Sequence, residues 1–146
     1  MSILLVEDNS DDVLLIKRAF RKAKIAPSMS IVTDGDEAIN YLSQTSRCAD
    51  PNRFPIPVLV LLDLKLPRRS GLEVLAWMRQ QPKLKRLLVV VLTSSQENSD
   101  LAKAYDLGAN SYLVKPIDFQ DFVSLIKLID AYWLKTNKVP QFSNQS

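Results

Sequence analysis

Four short apolar runs in this chain each stop at a residue whose side chain can take part in chemistry. Ile3-Leu4-Leu5-Val6 runs into Glu7-Asp8, 58–62 into Asp63, 87–92 into Thr93, and Tyr112-Leu113-Val114 into Lys115-Pro116. Brief β-branched and aliphatic runs, separated by longer stretches of helical periodicity, read as strands of a parallel sheet covered on both faces. Sheets of this kind bind ligands outside the carboxyl ends of their strands, where the strand order reverses. The pattern therefore predicts an α/β fold in which carboxylates, a hydroxyl and an ammonium converge in one crevice.

The segments between these runs carry helical signals. A helix is predicted over 10–24, with Val13, Ile16, Ala19, Phe20 and Ala23 as its buried stripe and Pro27 beyond its end. A short strand follows at 29–32, then an Asp34-Gly35 turn into a helix through Ala38, Ile39 and Leu42. The Pro-containing stretch 44–57 reads as an ordered surface insertion. Beyond Asp63, the loop 64–71 leads into a helix bearing Leu72, Val74, Leu75 and Met78. Another helix spans 97–107 and closes on Gly108, and a last one spans 118–135. Five β-α units in this order predict an open, doubly wound, flavodoxin-like parallel sheet of strand order 2-1-3-4-5 with helices on both faces. Residues 1–135 form one domain in this reading, 136–146 a polar tail, and no output domain is expected.

Bulk properties remove several classes of function. With 146 residues and 47% hydrophobic content the chain fits one globular domain with a full core. No apolar stretch approaches the ~20 residues of a membrane span, and no basic-then-apolar signal opens the chain, so a cytoplasmic protein with no membrane partner is expected. The single cysteine, Cys48, has no internal disulfide partner and reads as an inert thiol. The net charge of +3 is spread out. Its densest clusters, Lys17-Arg18 with Arg21, Lys22 and Lys24, and Arg68-Arg69, read as solvated faces, so no nucleic-acid partner is expected. The chain contains no histidine. That absence excludes a Ser-His-Asp or Cys-His nucleophile, a His-ligated metal, and a phosphohistidine on this chain.

The converging groups suit a divalent cation beside a phosphoryl group. In order and spacing, LLVEDN, LLDLKLPRRSG, VVVLTSS and GANSYLVKP resemble the signature segments of response-regulator receiver domains, over about 2–135. Within that family, the stretch before the third strand, the DLKLPRRSG loop and the DAYWLK ending look similar to stand-alone regulators paired with bacterial and cyanobacterial phytochromes.

A carboxylate forms an acyl phosphate only when a metal and a cation neutralise the transferred group. Asp63, central in the sheet, is the expected nucleophile, and the resemblance implies a phosphoaspartate there. Asp8 is expected to bind Mg²⁺ directly and Glu7 through water, because Mg²⁺ takes one or two carboxylates and keeps several waters. The resemblance adds the backbone carbonyl of Lys65 as a ligand. Lys115 supplies a point charge for a phosphoryl oxygen, and the resemblance implies a cis Lys115-Pro116 bond. Thr93 donates its hydroxyl to the phosphoryl group, and Thr93 with Tyr112 forms the expected switch. Asp11 and Asp12 offer a second reading as metal ligands, but as first-turn helix residues they read as favouring the helix macrodipole. Without a cation the carboxylates should strain one another, so that Asp63→Asn would stabilise the protein.

The resemblance implies a sensor histidine kinase, a phytochrome kinase on the narrower likeness, as the partner that supplies the missing histidine, and output through a downstream protein target. On the last helix, Phe119, Phe122, Val123, Ile126, Ile129 and Trp133 make a core stripe. Leu125, Leu128 and Tyr132 fall on a second face that a neighbouring helix covers or that forms an interface, most simply a homodimer. Two other readings compete with the phosphoacceptor. An aspartate-nucleophile phosphatase of the haloacid dehalogenase type needs an acid two residues past the nucleophile, where this chain has Lys65. A phosphorylation-independent receiver-like module would ordinarily lack one of Asp8, Asp63, Thr93 or Lys115.

Overall fold

The computed structural model describes residues 2–47 and 55–140. Five strands, β1 (Ser2–Val6), β2 (Ser28–Val32), β3 (Leu59–Leu62), β4 (Val89–Thr93) and β5 (Ser111–Val114), form one parallel sheet in the order β2-β1-β3-β4-β5. This is the predicted doubly wound topology. The strands alternate with α1 (Ser10–Lys22), α2 (Gly35–Arg47), α3 (Gly71–Gln80), α4 (Asn98–Asp106) and α5 (Phe119–Ile129).

Each strand divides its side chains between two cores, which is why the apolar runs are continuous rather than alternating. Leu4, Val6, Val60, Leu62, Val89 and Val91 pack with Val74, Leu75 and Met78 of α3 and with Ala38 and Leu42 of α2. Ile3, Leu5, Leu59, Leu61, Val90 and Leu92 pack on the opposite face with Ile16 and Phe20 of α1 and with Phe122, Ile126 and Ile129 of α5. Leu59 to Leu62 are completely buried.

Helix ends follow local chemistry. Asn9 caps α1 by accepting from the amides of Asp11 (2.9 Å) and Asp12 (3.1 Å). Ser70 caps α3 through the amide of Glu73. Gly108, at φ +100°, follows α4 in the left-handed conformation expected from the sequence.

Three expectations change. The helix predicted through Leu42 continues to Arg47, inside the stretch assigned to an insertion. Its side chains still meet the core, through Leu42 and the buried Thr45. Of the remainder, 48–54, including Cys48, lies outside the described residues, as does 141–146 of the tail. The last helix does not stay α-helical to 135: a π-helical turn over Asp130–Leu134 follows Ile129. There buried Asp130 pairs with Lys135 at 2.8 Å, and Trp133 and Leu134 remain against the core. Finally, no described peptide bond is cis, so Lys115-Pro116 is trans. The trans bond, the lower-energy isomer, already brings the ammonium to its partners.

Among the described residues, no helix is long and apolar enough to cross a membrane.

Candidate functional site

Backbone pairing carries the site residues beyond the strands. The Glu7 amide donates to the Val32 carbonyl at 3.0 Å, Asp63 to Val6 at 3.0 Å, and Lys115 to Thr93 at 2.8 Å. Each residue is thereby held in register one step past its strand. Continuing the alternation, Glu7, Asp63 and Lys115 fall on the α1/α5 face, with Leu5, Leu61 and Leu113, whereas Thr93 and Tyr112 follow Val91 onto the other.

The three residues on the first face meet. Lys115 Nζ donates to Asp63 Oδ2 at 2.9 Å, to Asp12 Oδ2 at 2.8 Å, and to Glu7 Oε1. Glu7, Asp8 and Asp63 each bring a carboxylate oxygen within 4.8 Å of the others. Glu7 is 1% exposed and Asp63 is buried, while Asp8 is exposed to an open cleft of about 600 Å³. Asp8, Asn9, Asp12, Asp63, Lys65, Ser94 and Lys115 are among the residues lining it.

Electrostatics divide the carboxylates. Burial, reinforced by a hydrogen bond to Asp63, pushes the Glu7 pKa up to about 8 despite the opposing ammonium. Burial also opposes ionisation of Asp63, but hydrogen bonds from Glu7, Lys115 and Thr93 outweigh it and hold its pKa below the usual value. Near neutral pH, Glu7 is thus largely protonated. The cost of crowding the carboxylates therefore falls on Glu7, while Asp63 is held ionised. Burial disfavours the Lys115 ammonium too, yet Asp12, Glu7 and Asp63 more than compensate and raise its pKa.

The donor set fits a hard divalent cation. All candidate ligands are oxygens, and Glu7 Oε2 is buried with no hydrogen-bond partner among the described residues. The Lys65 amide donates to Asp63 Oδ1 at 3.3 Å, which folds the following loop back toward the carboxylate. That loop is tightly seated: a Cβ on Gly71 would lie 2.2 Å from the Asp63 carbonyl oxygen.

On the other face, Thr93 is fully buried and its hydroxyl contributes to holding Asp63. Tyr112 is half-buried and donates from its hydroxyl to the Ser95 carbonyl at 3.0 Å; burial raises its pKa. The Ser95 hydroxyl in turn donates to Asp100 Oδ2 at 2.6 Å. Thr93 and Tyr112 thus lie on either side of the β4–α4 connection. On α5, Leu128 is 67% and, in the turn that follows, Tyr132 is 52% exposed, whereas Leu125 is half-buried against the core.

Asp12 is the residue whose part the sequence reading missed. It sits in the first turn of α1 but pairs with Lys115 rather than only complementing the macrodipole. The available signal was that α1 starts at the carboxyl end of β1, so its first turn overhangs the crevice.

An aspartate at the end of the central strand, an acidic pair after β1 and a lysine after β5 on a 2-1-3-4-5 sheet define a class. The chain belongs to the response regulator receiver domain family, whose sequence profile matches residues 3–127. It is 40% identical over 138 residues to the probable methanogenesis regulatory protein FilR2 of Methanothrix harundinacea, covering 94% of this chain and 86% of that one. It is 38% identical over 138 residues to the response regulator Rcp1 of Synechocystis, covering 94% and 92% respectively. A crystal structure of the Mn(2+)-bound form of Rcp1 is similar with a TM-score of 0.82 at 38% identity, over 96% of this chain and 99% of that one. The crystal structure of the phosphorylated cyanobacterial phytochrome response regulator RcpA gives a TM-score of 0.83 at 37% identity, over 96% and 98%. The receiver reading therefore displaces the haloacid dehalogenase alternative.

Proposed function

We propose that Asp63 accepts a phosphoryl group from a phosphohistidine of a partner sensor kinase in a Mg²⁺-dependent reaction. On this reading 1–135 is the receiver unit. The observation that carries it is the Lys115 ammonium 2.9 Å from the carboxylate of Asp63, beside the Glu7-Asp8-Asp63 oxygen cluster. Asp8, Asp63, the Lys65 carbonyl and, through water, Glu7 would hold the cation, which would neutralise charge on the phosphoryl oxygens. An Asp63 oxygen forms the new P–O bond as the donor P–N bond breaks. The electron pair of that bond stays on the partner's imidazole, which takes up a proton. Lys115 steadies a phosphoryl oxygen, and Thr93 donates to another.

The likeness to RcpA, a cyanobacterial phytochrome response regulator, supports a phytochrome-linked kinase as the partner. Thr93 and Tyr112 report the modification to the β4–α4 connection. One hydrogen bond to a charged group contributes ~1.5–3 kcal/mol, whereas moving a population from 1:99 to 99:1 requires ~5.5 kcal/mol. Completion of the switch accordingly draws on partner contacts as well. The exposed Leu128 and Tyr132 form the core of a self-association or docking face, with Leu125 beneath them.

Incubation with acetyl phosphate and Mg²⁺, followed by intact mass measurement, should show a base-labile gain of one phosphoryl group. Asp63→Asn should abolish it. Full labelling of that variant, or of the wild type in excess chelator, would refute the assignment.

A further inference from the structure

Lys115 has three donor hydrogens and three carboxylate partners: Glu7, Asp12 and Asp63. Its side chain is 8% exposed, leaving little room for an additional acceptor unless one partner withdraws. The three partners differ in how readily they can do so. Glu7 is 1% exposed and continues the β1 ladder, so losing the ammonium would leave its oxygen buried without compensation. Asp63 is the atom set being modified. Asp12 has a side chain 31% exposed, lies in the first turn of a helix whose amides favour a carboxylate, and faces the cleft, where water can replace the ammonium.

We propose that Asp12 is a positioning residue that competes with the incoming phosphoryl group for Lys115. This inference rests on the assignment of Asp63 as the phosphoacceptor. Before transfer Asp12 occupies one of the three donor hydrogens; on transfer it yields that hydrogen to a phosphoryl oxygen. Asp12 thereby restrains phosphorylation, and the modification frees a carboxylate at the start of α1. Nothing about Asp12 is needed to form the P–O bond, so its removal should accelerate the reaction, unlike removal of Lys115 or Asp63.

The test is a cycle built on Asp12→Asn and Lys115→Ala, with labelling by acetyl phosphate at saturating Mg²⁺ followed by intact mass. Asp12→Asn should raise the labelling rate roughly fivefold, between the effects of exposed and of buried charge contacts. In the Lys115→Ala background the same change should leave the rate within twofold. Thermal melts of each metal-free variant check folding, and Asp12→Ala repeats the cycle in case asparagine keeps its hold on the ammonium. An unchanged or slower rate in both Asp12 variants would overturn the proposal. So would equal acceleration with and without Lys115, since that would mean simple repulsion of the anionic donor. Asp63→Asn serves as the separate control: if it labels like the wild type, the phosphoacceptor assignment fails whatever Asp12 does.

Discussion

The raised pKa of Glu7 makes cation binding a proton-release reaction. With a pKa of about 8 in the metal-free protein, the carboxyl is about 90% protonated at pH 7. A divalent cation among Glu7, Asp8 and Asp63 favours the ionised form, so binding must expel that proton. The affinity penalty is a factor of 1 + 10^(8 − pH), about 100-fold at pH 6 and about twofold at pH 8. Mg²⁺ affinity should therefore rise about 50-fold between those two values, equivalent to ~2.3 kcal/mol. Titration calorimetry at pH 6.5 in two buffers of different ionisation enthalpy should report about one proton released per Mg²⁺. Glu7→Gln has no proton to release and should flatten the profile. Stability in chelator should follow the same group with a definite sign. A folded-state pKa above the unfolded 4.5 means the folded protein binds more protons, so stability falls as pH rises from about 4.5 to about 8 and levels off above. A change in Mg²⁺ affinity below threefold across pH 6 to 8, or the same slope in Glu7→Gln, would refute this reasoning.

Lys115→Ala leaves three carboxylates without their shared cation and should destabilise the metal-free protein by ~3 kcal/mol in chemical denaturation, with Mg²⁺ restoring much of the loss. Gly71→Ala drives a methyl to 2.2 Å from the Asp63 carbonyl, so the melting temperature should drop by the equivalent of ~1–3 kcal/mol and Mg²⁺ should bind more weakly; an unchanged affinity would show that this packing does not seat the site. Leu128→Glu should leave folding and Asp63 labelling intact while shifting sedimentation toward monomer, and an unchanged mass together with unchanged kinase binding would place the interface elsewhere.

Much of the fold was legible because burial on both faces of a parallel sheet leaves a direct trace in composition. Strands such as Leu59–Leu62 must be apolar at every position, and the first hydrophilic residue afterwards marks where the chain emerges. The same logic singled out Glu7, Asp8, Asp63, Thr93 and Lys115, since strand ends and ligand crevice coincide in this architecture. Segment boundaries were less readable. The end of α2 and the π-helical turn after α5 depend on what each turn packs against rather than on local pattern.

The sequence by itself determined the number and order of the β-α units, their parallel pairing and the residue types delivered to the sheet's carboxyl edge. Periodicity, length and punctuation are local properties of the chain. Tertiary structure alone decided how those groups share charge. Asp12 and Lys115 are separated by 103 positions yet lie 2.8 Å apart, and nothing local to either predicts the contact. The division between Glu7 and Asp63, one protonated and the other held ionised, likewise follows from burial and from which carboxylate receives the hydrogen bonds. Those are properties of the assembled crevice, because desolvation and Coulomb attraction act over distances in space rather than along the chain.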